Sequence, residues 1–176
     1  MFKFRKFTAT LTKLQNNNTM KITLLVIGKT EADYLKKGID IYLKRLVHYL
    51  PFSMVVIPAL KNNKNLTEEQ QKQKEGELIL SQTKPGDRLI LLDENGKQFS
   101  SVKFSRYLEK MMVAGTRSIV FVVGGPYGFS EQVYQKASGR ISLSEMTFSH
   151  QMVRLIFVEQ MYRAMTILKG EPYHHQ

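Results

Sequence analysis

The chain has no cysteine among its 176 residues. That absence removes disulfides, thiolate nucleophiles, zinc ribbons and iron–sulfur clusters together, and it fits a reducing compartment. Long apolar runs are missing too: no stretch approaches the roughly 18 residues that a membrane-spanning helix needs. No internal repeat is present. Acid is scarce relative to base, with 15 Asp and Glu against 26 Lys and Arg, for a net charge of +11. Such an excess suits a polyanionic partner through phosphate neutralisation and counterion release, although it also serves simple solubility.

What is present is an ordinary globular composition, 43% apolar and 10% aromatic, long enough for one domain with a real core. The first 19 residues differ from the rest. Lys3, Arg5, Lys6 and Lys13 stand there without an acid, and the segment ends in Asn16-Asn17-Asn18. Its apolar residues are too scattered for a secretory signal. The segment reads as an extension from an upstream start, with Met20 opening the domain proper. The remaining +7 belongs to residues 20–176.

From Met20 the pattern alternates strand and helix. Strands are predicted over Ile22–Ile27, Phe52–Ile57, Leu89–Leu92, Ile119–Val123 and Ile141–Leu143, each a short apolar run of the kind buried on both faces. Helical spacing is predicted over Ala32–Leu50, from Thr67 to about Gln82, over Ser101–Met112 and Glu131–Ala137, and from Ser149 to Leu168. Lys84-Pro85-Gly86-Asp87 and Asn95-Gly96 read as turns. Alternation of this length predicts an α/β domain with one parallel sheet covered on both faces. Ligands in such sheets bind beyond the carboxyl ends of the strands, here Leu92-Asp93, Val123-Gly124 and Leu143-Ser144.

Gly124-Gly125-Pro126-Tyr127-Gly128 places three glycines directly after a β-branched strand, where backbone can approach a ligand closely; a plain tight turn is the alternative. No Gly-Lys-Ser/Thr follows, and the spacing is not G-x-G-x-x-G, which disfavours a phosphate loop and a dinucleotide fingerprint. The segment Leu143, Ser144, Glu145, Met146, Thr147 and Phe148 mixes apolar side chains with hydroxyls, as an adenosine pocket would; a mere connecting loop is the alternative. His150 and Arg154 share a helix face at i, i+4, with capping or core hydrogen bonding as the bland reading of His150 and a surface ion pair to Glu159 or Glu145 as that of Arg154. The last helix is apolar around most of its circumference, so it requires cover from the centre of the fold or from a second subunit. The terminal Glu171-Pro172-Tyr173-His174-His175-Gln176 carries aromatic and imidazole groups where termini are usually featureless, but its spacing is poor for a metal site.

Taken together, FVVGGPYGF, ISLSEMTFSHQMVRLIFVEQMYRA and GEPYHH closely resemble the RlmH family of SPOUT-class methyltransferases, over essentially all of residues 20–176. The resemblance implies a parallel α/β sheet whose C-terminal segment threads a deep trefoil knot, and a cytoplasmic homodimer without metal or membrane. It implies that Leu92, Gly124, Leu143, Ser144, Glu145, Met146, Thr147 and Phe148 hold S-adenosylmethionine, and that His150, Arg154, Tyr173 and His174 form the catalytic, RNA-facing set. It implies methylation of N3 of a pseudouridine in helix 69 of 23S ribosomal RNA on assembled ribosomes. The alternatives are another RNA substrate such as tRNA, or a ribosome-binding protein without catalysis.

Overall fold

The computed structural model describes residues 19–60 and 65–173. The extension expected over residues 1–19 falls almost wholly outside them, as does His174. Five parallel strands form one sheet in the order β2-β1-β4-β3-β5: β1 Lys21–Ile27, β2 Phe52–Ile57, β3 Arg88–Gln98, β4 Ser118–Val123 and β5 Gly139–Ser142. Between and after them run α1 Asp33–Leu46, α2 Glu68–Ser81, α3 Ser101–Val113, α4 Glu131–Lys136 and α5 His150–Lys169.

Period-two alternation divides the core between the two faces of the sheet. Ile22, Leu24 and Val26 of β1, with Ile119, Phe121 and Val123 of β4, pack under α1, α3 and α5. Leu25, Ile27, Val120 and Val122 point the other way, toward Ile79 of α2 and Val133 of α4. The expected α/β architecture is therefore present. Met20 already belongs to the first of these cores.

Three boundaries differ from expectation. α1 stops at Leu46, four residues early, and unwinds through His48 N–H to Arg45 O and Tyr49 N–H to Leu46 O. Pro51 disfavours helical backbone at Leu50, so the last turn tightens before it. β3 does not end at Leu92. Its pairing with β5 resumes at Lys97 and Gln98 after a bulge over 93–96 that holds the expected Asn95-Gly96 turn, Leu92 and Lys97 both lying opposite Ile141. Gly96 permits this, because a Cβ there would fall 2.5 Å from the backbone of Ile141. β5 in turn covers Gly139–Ser142 rather than Ile141–Leu143, which leaves Leu143 in the following loop.

The starts of α2 and α5 are capped as the sequence encodes them, whereas Ser130, the expected cap of α4, makes no side-chain capping bond. Thr67 and Gln70 form a reciprocal capping box, and the Ser149 hydroxyl accepts from Met152 N–H at 3.2 Å. α5 crosses the sheet between α1 and α3, burying Phe157, Val158, Met161, Ala164 and Met165. Met152, Ile156 and Ile167 along its outer side stay half-buried.

Candidate active site

The bulge of β3 after Leu92 and the ends of β4 and β5 open into one cleft of about 540 Å³, within the usual range for a small-molecule site. Leu92, Gly124, Leu143, Ser144, Met146, Thr147 and Phe148 all line it, as does His150. Glu145, in the same segment, is exposed and is not among the lining residues. The segment after β5 is held by its own hydroxyls. Ser142 donates to Ser144 O at 2.8 Å, and Met146 N–H donates to the Ser144 hydroxyl at 2.9 Å. Met146 is left 75% exposed at the rim, an unusual position for a large apolar side chain.

The glycine loop forms the opposite wall. A Cβ on Gly124 would press to 3.1 Å from the Phe129 ring. Gly128 N–H closes the loop onto Gly125 O at 3.2 Å. Asp93 lies at the expected strand end Leu92-Asp93, whereas its partner Tyr134 is not marked by the sequence. The two meet in the cleft, where Tyr134 donates to Asp93 Oδ2 at 2.6 Å, while Oδ1 accepts from Asn95 N–H. Burial, then the Asp93 carboxylate, pushes the Tyr134 phenol up to about 12. Nothing in the local sequence marks Tyr134, since only the docking of α4 brings it there.

His150 starts α5 at the edge of this cleft. Burial, and then the positive charge of Arg154, lowers its imidazole below the ordinary 6.5, against a weaker opposing pull from Glu31. The imidazole is thus neutral, and basic, at physiological pH.

Arg154 requires correction. Expected to face RNA, or else to form a surface ion pair, it is 0% exposed. Its guanidinium donates to Ile27 O at 2.6 Å, Gly28 O at 2.9 Å and the Thr30 hydroxyl at 3.0 Å. The end of β1 has carbonyls with no further strand to receive them, and the guanidinium satisfies them from inside the fold. Gln151 adds a second tie, accepting from Glu31 N–H at 2.8 Å. Arg154 therefore fixes the β1 loop against α5 and biases His150, and it touches no cleft surface.

Glu159 pairs instead with Arg163, at 2.6 Å. The same carboxylate accepts from the Tyr173 hydroxyl at 3.2 Å, and Tyr42 lies 3.3 Å from that hydroxyl. Tyr162 packs edge-on against the Tyr173 ring at 4.8 Å, while Arg163 lies over its face. Tyr49 donates to Glu171, anchoring the chain just before. Burial, followed by the hydrogen bond with Tyr42, raises the Tyr173 phenol well above its normal range. Tyr173 is thus firmly held, but on the flank of α5 and outside the cleft lining of its own chain.

The donor set fits S-adenosylmethionine. Apolar walls from Leu92, Leu143 and Phe148 suit a flat base, the Gly124 wall permits close backbone approach, and the cleft carboxylates Asp93 and Glu94 suit a cationic ligand in a basic protein. Among the described residues no cluster of three or more candidate ligands could hold a metal ion, and no helix is long and apolar enough to cross a membrane.

Residues 20–174 match the model of a family described as predicted SPOUT methyltransferase. Proteins named ribosomal RNA large subunit methyltransferase H are similar to the chain over 157 residues, which is 89% of it and all of each relative. Identity is 66% for Parabacteroides distasonis, 62% for Flavobacterium johnsoniae and 57% for Bacteroides fragilis. Among solved structures, the SpoU methyltransferase AviRb from Streptomyces viridochromogenes in complex with the cofactor AdoMet aligns with 91% of this chain and 65% of that one. Identity there is 10% and the TM-score 0.43, too loose a likeness to argue from.

Proposed function

The chain belongs to the SPOUT methyltransferase family, and from that premise we propose that it methylates N3 of a pseudouridine in helix 69 of 23S ribosomal RNA on the assembled ribosome, with S-adenosylmethionine as donor. The observation that carries the chemistry is the cleft at the β3 bulge and the ends of β4 and β5, walled by the glycine loop and edged by a neutral histidine. Leu92, Gly124, Leu143, Ser144, Met146, Thr147 and Phe148 would hold the donor. Bound there, it supplies an activated methyl group, so the protein's remaining task is to align the acceptor and remove its proton.

His150 is the residue suited to that removal: it lines the cleft, and its neutral imidazole can accept the N3 proton. Tyr173, with its phenol raised, stays protonated, and its hydrogen bond to Glu159 anchors the start of the tail assigned to the RNA. His174, beyond the described residues, is assigned to the same RNA-facing tail. Because the lowered imidazole stays in its base form further into acid, the kcat–pH profile should be flat through neutrality, with an acid limb below 6.5. His150→Ala should erase that limb and cut kcat by about 100-fold or more. An unchanged limb in the variant would exclude His150 as the base.

Tyr173 lies outside its own cleft, which supports a homodimer in which the tail of one subunit completes the cleft of the other; a cytoplasmic location is proposed with the ribosomal substrate. The half-buried stripe of Met152, Ile156 and Ile167 on α5 supplies an apolar face for that partner. The chain route is compatible with a deep trefoil knot over the C-terminal segment: β5 forms at the far edge beside β3, and α5 then returns across the sheet to α1 and α3. Residues 1–19 precede the match to the family and are read as lying outside the catalytic domain.

The deciding experiment incubates ribosomes with the protein and isotopically labelled S-adenosylmethionine, then digests the RNA for mass spectrometry. One labelled methyl on a helix 69 pseudouridine is expected. Incorporation chiefly into tRNA would move the substrate, and ribosome association without incorporation would favour the non-catalytic reading.

A further inference from the structure

Behind the glycine loop stands an acid that the chemistry above does not use. Glu75 of α2 is 3% exposed and lies outside the cleft lining. Its Oε1 accepts from Gln71 Nε2 at 2.8 Å, whereas Oε2 is buried with no hydrogen-bond partner. Burial raises its pKa, with the Gln71 hydrogen bond opposing. An orphan oxygen of this kind costs stability, and an apolar side chain of similar length would fill the space without it.

The carboxyl is seated on the loop itself. A Cβ on Gly125 would fall 2.2 Å from Oε2 and 2.9 Å from Oε1. The next residue, Gly76, brings α2 equally close to the far end of the loop, where a Cβ would fall 2.2 Å from the Ser130 hydroxyl. That hydroxyl is also buried without a partner. Two unsatisfied polar groups thus back both ends of the one segment whose backbone must approach the donor. Perturbed, unsatisfied groups of this kind concentrate where function rather than packing has set the residue.

We propose that Glu75 is a positioning residue of the cofactor loop: its carboxyl supports Gly125 from behind, and Oε2 provides the hydrogen-bond partner for that loop's backbone when the cleft is filled. The inference rests on the methyltransferase reading. Its test is calorimetric titration of the full chain with S-adenosylmethionine, together with thermal unfolding in the absence of ligand, for wild type, Glu75→Gln and Glu75→Met.

Glutamine keeps the shape, an oxygen to accept from Gln71 and an N–H that donates to a loop carbonyl as a protonated Oε2 would, so its affinity should stay within about 3-fold of wild type. Methionine keeps only the shape, so its affinity should fall about 10-fold or more while its unliganded melting temperature holds or rises. Wild-type affinity in Glu75→Met would overturn the proposal, as would a glutamine variant as weak as the methionine one. A methionine variant that fails to fold would also overturn it, because Glu75 would then be a packing residue. If the wild-type chain itself does not bind the donor, the methyltransferase reading fails first.

Discussion

Deleting Tyr173–Gln176 is expected to abolish methyl transfer, by about 1,000-fold or more, equivalent to roughly 4 kcal/mol of transition-state stabilisation, while affinity for S-adenosylmethionine stays within about 3-fold. The asymmetry follows from geometry. The donor cleft is built from the β3 bulge and the ends of β4 and β5, and none of the described tail residues contributes to its lining. The ring of Tyr173 is held by Tyr42, Glu159, Tyr162 and Arg163 on the side of α5. So firmly anchored a group does not swing into its own cleft. Mixed dimers separate this arrangement from a local role. A tail-deleted chain retains a sound cleft, and a His150→Ala chain retains a sound tail. Co-assembled, the two should recover activity at one of the two composite sites. Recovery no greater than the sum of the separate variants would mean that the tail acts within its own subunit.

Arg154→Met should lower stability by about 2–4 kcal/mol, because the carbonyls of Ile27 and Gly28 and the hydroxyl of Thr30 would lose their buried donor together. For a chain of this size the melting temperature should fall by roughly 5–15 °C, which calorimetric or circular-dichroism melts would read directly. Arg154→Lys should recover only part of the loss, since one ammonium cannot reproduce the planar fork that reaches three acceptors. The methionine variant also removes one of the two influences that lower the His150 imidazole, so the acid limb of the kcat–pH profile should shift upward toward 6.5. A stable Arg154→Met protein that has lost only ribosome binding would restore the RNA-facing role that burial argues against.

The sequence by itself determined the local framework. Period-two and helical spacing, the capping box at Thr67 and Gln70, the Ser149 cap and the stop at Gly170 are encoded within a few residues, so they could be read without the fold. The strand ends that form the cleft were legible for the same reason, and so was the glycine loop, whose composition carries its own conformational meaning. Tertiary structure decided what local signals could not. Asn95-Gly96 reads as a turn, but only pairing with β5 shows that the turn is a bulge, with Leu92 and Lys97 both opposite Ile141 and the strand resuming beyond it. Arg154 reads as a surface charge because charge usually seeks water, but the end of β1, distant in sequence, offers acceptors that replace it. Tyr134 and Glu75 carry no local mark at all, and their places follow from how α4 and α2 dock on the sheet. The residues around the site thus divide by range: interactions spanning a few residues are written in the sequence, whereas desolvation, pKa and the partners of buried polar groups depend on segments that only folding brings together.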